Sequence, residues 1–185
     1  FIRLIVENGW RLERLVADIL DLSRLREGLP QLSLSSTELA KLVEDLVARF
    51  ALADPFSSTV VAEPVVVRAD PKKVERIVEN LIANAVTHNP DGAALRISVG
   101  PVEGGAQISV EDDGRGVPED MLSRLFEAFT LGEDAKRGPS PGLGIGLSIV
   151  AQFTQLHGGR VWHAEVDGGG AAFHVFLPEE GPGSA

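Results

Sequence analysis

Three groups of residues in this 185-residue chain combine side-chain types and spacings that could do chemistry. Gly142-Leu143-Gly144-Ile145-Gly146-Leu147 sets three glycines, alternating with apolar residues, at the start of an apolar helical repeat. Glycine lets backbone approach a ligand closely, and a helix start offers unpaired N–H groups and the positive end of its dipole, so a polyphosphate fits such a junction. The spacing is not the G-x-G-x-x-G of dinucleotide binding, no strand immediately precedes it, and the lysine-bearing G-x-x-x-x-G-K-[ST] loop is absent. Glu111-Asp112-Asp113-Gly114-Arg115-Gly116 follows a strand pattern. An aspartate there can accept a hydrogen bond from an exocyclic amine while glycines leave space for a flat base, although an acidic turn without a ligand has the same composition. Asn80, Asn84 and His88 stand four apart, on one line of a helix. Asparagine is a poor mid-helix residue, but its oxygen is a hard ligand suited to Mg2+, which takes few protein ligands beside phosphates and water.

The elements that must position these residues follow from periodicity. Leu12, Leu15, Val16, Ile19, Leu22 and Leu25 make the stripe of an amphipathic helix ended by Gly28 and Pro30. A stripe this isolated in sequence needs a partner, and a helical hairpin or dimer seam is the favoured one. After an extended segment at Leu32 to Leu34, Ser35 and Glu38 form a capping box that opens a second helix carrying Leu39, Leu42, Val43, Leu46 and Val47. Val60-Val61 and Val65 to Val67 read as short strands beside Pro64. Asp70 caps a third helix with Pro71 in its first position. Val74, Ile77, Val78, Leu81, Ile82 and Ala85 are its buried stripe, and Asn89-Pro90-Asp91-Gly92 breaks it. Leu95 to Val99 and Gln107 to Val110 alternate as a hairpin around Gly104-Gly105. A short helix around Met121 to Phe129 precedes a polar loop, Leu131 to Pro141, and then a helix with Leu147, Ile149, Val150, Phe153 and Leu156 apolar. Strands at Arg160 to Glu165 and Ala172 to Leu177 meet at an Asp167 to Gly170 turn, and Gly181 to Ala185 should fray. The sum is an α+β, two-layer sandwich: a mixed, mostly antiparallel sheet covered on one face by helices.

Composition excludes several functions. A net charge of −10 opposes binding to nucleic acid or anionic membranes, which need a basic face. With no cysteine there are no disulfides, thiolate metal sites or cysteine nucleophiles. No apolar run reaches the roughly 20 residues of a membrane span. Phe1-Ile2-Arg3 lacks an initiator Met and a signal-peptide pattern, so the chain reads as a piece of something longer.

Taken together, in order and spacing, Glu79-Asn80-Leu81-Ile82-Ala83-Asn84-Ala85, Asp112 to Gly116, Phe126-Glu127-Ala128-Phe129 and Gly142 to Leu147 resemble the N box, first glycine box, F box and second glycine box of sensor histidine kinases. Arg11 to Leu25 resembles the second helix of their dimerisation hairpin, and Leu156-His157-Gly158-Gly159 the usual end of the helix after the glycines. The resemblance implies that residues 1–29 are the last part of that hairpin, 30–180 a catalytic ATP-binding domain of the GHKL type and 181–185 a disordered tail. It implies that Asn84 holds Mg2+ with Asn80 in support, that Asp112 binds the adenine amine, and that Gly114 and Gly116 shape the base pocket. Gly142, Gly144 and Gly146, with Leu143, Ile145 and Leu147 between and after them, would line the phosphates under a lid from about Thr130 to Pro141, anchored by Phe126 and Phe129. The chain departs from the family at Thr87 (commonly Lys or Arg), His88 (often Tyr, and kept here as an ATP-site residue), Leu143 (often Thr or Ser) and Leu131 (usually Arg). Lys136 or Arg137 could replace the missing cation.

The implied activity is transfer of the ATP γ-phosphate to a histidine and onward to a response regulator aspartate, in a homodimer whose parent is attached to the bacterial cell membrane with this domain in the cytoplasm. None of His88, His157, His163 and His174 lies on the first helix or precedes an acidic residue, so the acceptor belongs to a helix absent from this chain, of the same or the paired protomer. Two alternatives stay open. GHKL ATP hydrolases carry a glutamate four residues before the magnesium Asn; Asn80 stands there, and Glu79 is about 100° away around the helix. A degenerate or anti-sigma-like nucleotide-binding module would suit Thr87, Leu131 and Leu143 but not the extra first helix.

Overall fold

The computed structural model describes residues 16, 17, 19–21, 23, 31–53, 57–89, 93–130 and 144–182. Its main sheet has five strands in the order β2 (Ser58–Ala62), β4 (Leu95–Val102), β5 (Gly105–Asp112), β7 (Ala171–Pro178) and β6 (Arg160–Glu165). β2 runs parallel to β4 and the other pairings are antiparallel, which is the mixed sheet that the alternating patterns imply. A period of two puts Leu95, Ile97 and Val99 of β4, Ile108 and Val110 of β5, and Phe173, Val175 and Leu177 of β7 on one face, and all are buried. Over that face lie α1 (Leu39–Ala53), α2 (Pro71–His88) and α4 (Gly146–Leu156). Leu39, Val43 and Leu46 of α1, the whole stripe Val74 to Ala85 of α2, and Ile149, Val150 and Phe153 of α4 complete the core.

α2 is capped at its start by a side chain. Asp70 has extended backbone, and its Oδ1 accepts from the N–H groups of Lys72 (3.1 Å) and Lys73 (3.3 Å), while Pro71 occupies the first turn where no donor is needed. A second bond joins Asp70 to the other end of the layer. His157, 1% exposed, donates Nδ1–H to the Phe153 carbonyl (2.7 Å) and accepts the Asp70 N–H on Nε2 (3.1 Å). The end of α4 and the start of α2 are therefore joined through one neutral imidazole.

Three local expectations are corrected. Ser35 does not cap α1: Ser35–Glu38 is β1, paired antiparallel with β3 (Val66–Ala69) in a separate two-stranded sheet. The cap comes from Glu38 itself, whose carboxylate accepts from Ala40 N–H (3.0 Å) and Lys41 N–H (2.7 Å). A capping-box pattern and a strand followed by an acidic cap share one sequence here, and pairing with β3 decides between them. The helix expected around Met121 to Phe129 is one turn, α3 (Glu119–Leu122). Beyond it the chain turns through Arg124 N–H to Met121 O and Glu127 N–H to Arg124 O, so that the adjacent Leu125 and Phe126 both pack on the core. The tail does not begin at Gly181, which is buried, with Arg68's carbonyl 2.7 Å from where its Cβ would stand. Of the first predicted helix, residues 16, 17, 19–21 and 23 are helical; Leu12, Leu15, Leu22, Leu25, Gly28 and Pro30 lie outside the described residues, as do 183–185.

Candidate functional site

The site is built from the end of α2, the end of β5 and the start of α4. On α2, packing separates the two asparagines. Asn80 is 1% exposed, its Nδ2 donates to Arg76 O at 2.8 Å, and a Cβ on Gly146 would come 3.1 Å from its Oδ1. The start of α4 is thus closed against Asn80. One turn on, Asn84 is half-buried, and its amide makes no hydrogen bond among the described residues. His88, another turn on, ends the same line; partial loss of water lowers its pKa, and the Asp112 carboxylate partly opposes that shift.

Asp112 ends β5 and is 6% exposed. Its Oδ1 accepts from Gly114 N–H (3.0 Å) and from Asn89 Nδ2 (3.1 Å), and among the described residues its Oδ2 accepts nothing. Gly114 has no room for a side chain, because a Cβ would overlap Asn89 Oδ1 and crowd Asp112 Oδ1 at 2.7 Å. Gly116 backs onto the Gly170 carbonyl. Burial of a carboxylate with one oxygen saturated and the other open prepares it for a further donor.

At the start of α4, Gly144 has φ +66° and its Cβ would overlap the Thr130 carbonyl, so only glycine fits. Phe129 N–H donates to Gly144 O (2.8 Å), which holds the chain after the F-box segment against the glycine box. Phe126 meets Phe173 edge-on at 6.5 Å in the core layer, whereas Phe129, expected beside it as anchor or core, is 56% exposed with φ +66°. Ile145 sends its side chain into the core at 2% exposure, so any ligand contact it makes runs through its main chain. Leu147 packs partly against the core. Arg137, Gly142 and Leu143 lie outside the described residues, as does Lys136. Sequence reasoning missed Asn89, read only as a helix stop; its partner is 23 residues away, and nothing local signals the pairing.

Residues 69–181 match the profile of the histidine kinase-, DNA gyrase B-, and HSP90-like ATPase family. The chain belongs to this family. Within it, the chain is a histidine kinase-type ATP-binding catalytic domain, homologous to sensor histidine kinases. It is 33% identical over 96% of its length to hybrid signal transduction histidine kinase D of Dictyostelium discoideum and 32% identical over 97% to AfsQ2, a signal transduction histidine-protein kinase of Streptomyces coelicolor. The chain spans 12% and 33% of those two proteins. The solved structure of full-length ShkA in complex with AMPPNP superposes with a TM-score of 0.79 at 27% identity, over 96% of this chain and 38% of that one. The ATP-binding domain of PrrB from Mycobacterium tuberculosis gives 0.65 at 28% identity, over 81% and 98%. The α+β sandwich of the GHKL type is borne out.

For a member of this ATPase family, two further placements matter. Glu79 Oε2 lies 3.3 Å from Arg76 Nη1, so the acid next to Asn80 is engaged by a cation on its own helix. The groove between Leu34 to Ser36, Val66 to Arg68 and Glu179-Glu180 contains none of the expected site residues. Among the described residues no helix is long and apolar enough to cross a membrane.

Proposed function

We propose that this domain holds Mg2+ and ATP between α2, the end of β5 and the start of α4, and donates the γ-phosphate to a histidine on a helix outside this chain, for relay to a response regulator aspartate. The observation that carries the reading is Asp112: a buried carboxylate whose Oδ1 is taken by two donors and whose Oδ2 can accept one more, which an adenine 6-amino group offers. Asn84 fits magnesium, because its oxygen is a hard donor and its amide is uncommitted, while the engaged Asn80 holds the helix against Gly146 behind it. Bound there, the ion would neutralise phosphate charge. Gly144 and Gly146 would offer main chain and a helix start to the phosphate oxygens, and Gly142 and Leu143 belong to the same proposed phosphate lining. Gly116, His88 and Phe129 would border the nucleotide, and Arg137 or Lys136 would supply the cation that Thr87 does not.

Phosphoryl transfer is mostly positioning and charge stabilisation, so a donor domain needs an acceptor brought to it rather than a strong base of its own. Engagement of Glu79 by Arg76 supports transfer over hydrolysis, since a base that activates water must be free to take its proton. By the same reading residues 1–29 are the end of a dimerisation hairpin, 30–180 are the catalytic domain, and the parent is a homodimer that autophosphorylates and is attached to a membrane.

Calorimetric titration with ATP, with and without Mg2+, tests the proposal. Wild-type chain should bind ATP with magnesium-enhanced affinity; Asp112→Ala should lose at least about tenfold, the value of a hydrogen bond to a charged group, and Asn84→Ala should lose the magnesium enhancement. A chain that binds no ATP under either condition is not a phosphate donor.

A further inference from the structure

We infer that Asn89 is the positioning residue for base recognition: it holds Asp112 in the orientation that tells a 6-amino purine from a 6-oxo one. The inference rests on Asp112 being the acceptor for the adenine amine. Asn89 follows the last turn of α2, and its Nδ2 donates to two acceptors, the Ala85 carbonyl (2.9 Å) and Asp112 Oδ1 (3.1 Å). With acceptors on both bonds, the amide has one consistent orientation, nitrogen inward, so Asn89 can only donate to the carboxylate. Gly114 N–H reaches the same Oδ1 from the other side at 3.0 Å. Two donors from different elements, a helix end and a loop, fix the carboxylate plane and hence the direction of Oδ2. Gly114 is held to glycine by the same residue, since a Cβ there would overlap Asn89 Oδ1.

A carboxylate held this way is selective because it cannot turn. Against adenine, Oδ2 accepts from the 6-amino group; against hypoxanthine it faces a carbonyl oxygen, leaving two acceptors opposed and unpaired in a buried place. Freed of Asn89, the carboxylate can rotate or take a water, and discrimination falls more than binding as a whole. Asn89 directly follows the helix that carries Asn80 and Asn84, so the base end and the phosphate end of the proposed site are tied to one element.

The test compares ATP with ITP, in which a carbonyl replaces the 6-amino group and N1 becomes a donor, in calorimetric titrations of wild-type chain, Asn89→Ala and Asn89→Leu, each checked for folding by thermal melting. Wild type should prefer ATP by about tenfold or more, and both variants should reduce that preference to a few-fold, mostly through weaker ATP binding with ITP affinity nearly unchanged. Folded variants that keep the wild-type ratio overturn the role of Asn89 and leave Asp112 as the acceptor. Equal binding of ATP and ITP by wild type removes the Asp112 reading itself, and this inference with it. Failure of both variants to fold would make Asn89 a structural residue and also overturn the inference.

Discussion

Arg76 Nε lies 3.2 Å from Asp21 Oδ2, joining the first helical stretch to α2, with only 20% and 13% of the two side chains exposed. Arg76 also reaches Glu79 with Nη1, and its carbonyl accepts the Asn80 amide. The first helix is thereby connected through one residue to the centre of the N box. Half-sheltered ion pairs contribute more than fully exposed ones, whose worth is mostly below 1 kcal/mol. In a double-mutant cycle on urea unfolding, Asp21→Ala and Arg76→Ala should therefore couple by about 1 kcal/mol. Losses that simply add would show that the pair contributes nothing to stability.

His157 makes stability depend on pH. Burial lowers its pKa below 6.5, with the Phe153 carbonyl and Asp70 pulling back and Lys73 adding to the lowering. Protonation would also set an N–H against the Asp70 N–H that Nε2 now accepts. Between the lowered folded value and 6.5 the unfolded chain binds more protons than the native one, so stability rises with pH across that window and is lost as pH falls through it. His88, His163 and His174 are lowered by burial too and add to the same slope. The urea midpoint should be lower at about pH 5.5 than at about pH 7.5, and His157→Gln should flatten the difference while costing about 2 kcal/mol at the higher pH. An unchanged slope in that variant would assign the effect to the other histidines.

What could be read from sequence follows how local each determinant is. Asp70-Pro71 was legible because cap, proline and first turn are consecutive residues, and the stripe Val74 to Ala85 because one helix repeats its own period. Ser35-x-x-Glu38 was not, because strand pairing with Val66 to Ala69 outweighed the local capping pattern. Met121 to Phe129 failed for a similar reason: Leu125 and Phe126 are drawn to the core side by side, and Phe129 turns left-handed to meet Gly144. In the site, residue types such as Asp112 and Gly144 could be picked out, but not the bonds that orient them. The Asn89 to Asp112 bond joins a helix end to a strand end, and nothing local in the glycine-rich stretch signals that the Ile145 side chain packs into the core.

Gly144→Ala should be among the most damaging single-atom-group changes in the site. A left-handed backbone costs a side chain about 1–2 kcal/mol before any contact is considered. Here the added methyl would also overlap the Thr130 carbonyl, so Phe129-Thr130 and the start of α4 must separate. The melting temperature should fall by several degrees, and ATP affinity should fall with it, because the helix start proposed to face the phosphates is displaced. A variant that melts like wild type would mean that Thr130 moves aside freely.

Asn80 and Asn84 look interchangeable on the helix but should separate cleanly on substitution. Asn80 is buried, bonded to Arg76 O and packed against Gly146, so Asn80→Ala removes a satisfied amide and leaves a space between α2 and α4. That should cost about 1–3 kcal/mol in urea unfolding. Asn84 is half-buried with an uncommitted amide, and alanine is the better helix former by up to about 0.7 kcal/mol, so Asn84→Ala should leave stability unchanged or slightly raised. Binding should invert the order of importance. Asn84→Ala should abolish the gain in ATP affinity on adding Mg2+, because an alanine methyl offers no oxygen to the ion, whereas folded Asn80→Ala should keep part of that gain. An Asn84→Ala chain that unfolds as early as Asn80→Ala, or that binds ATP with undiminished magnesium dependence, would show that Asn84 is a packing residue and that the ion is held elsewhere.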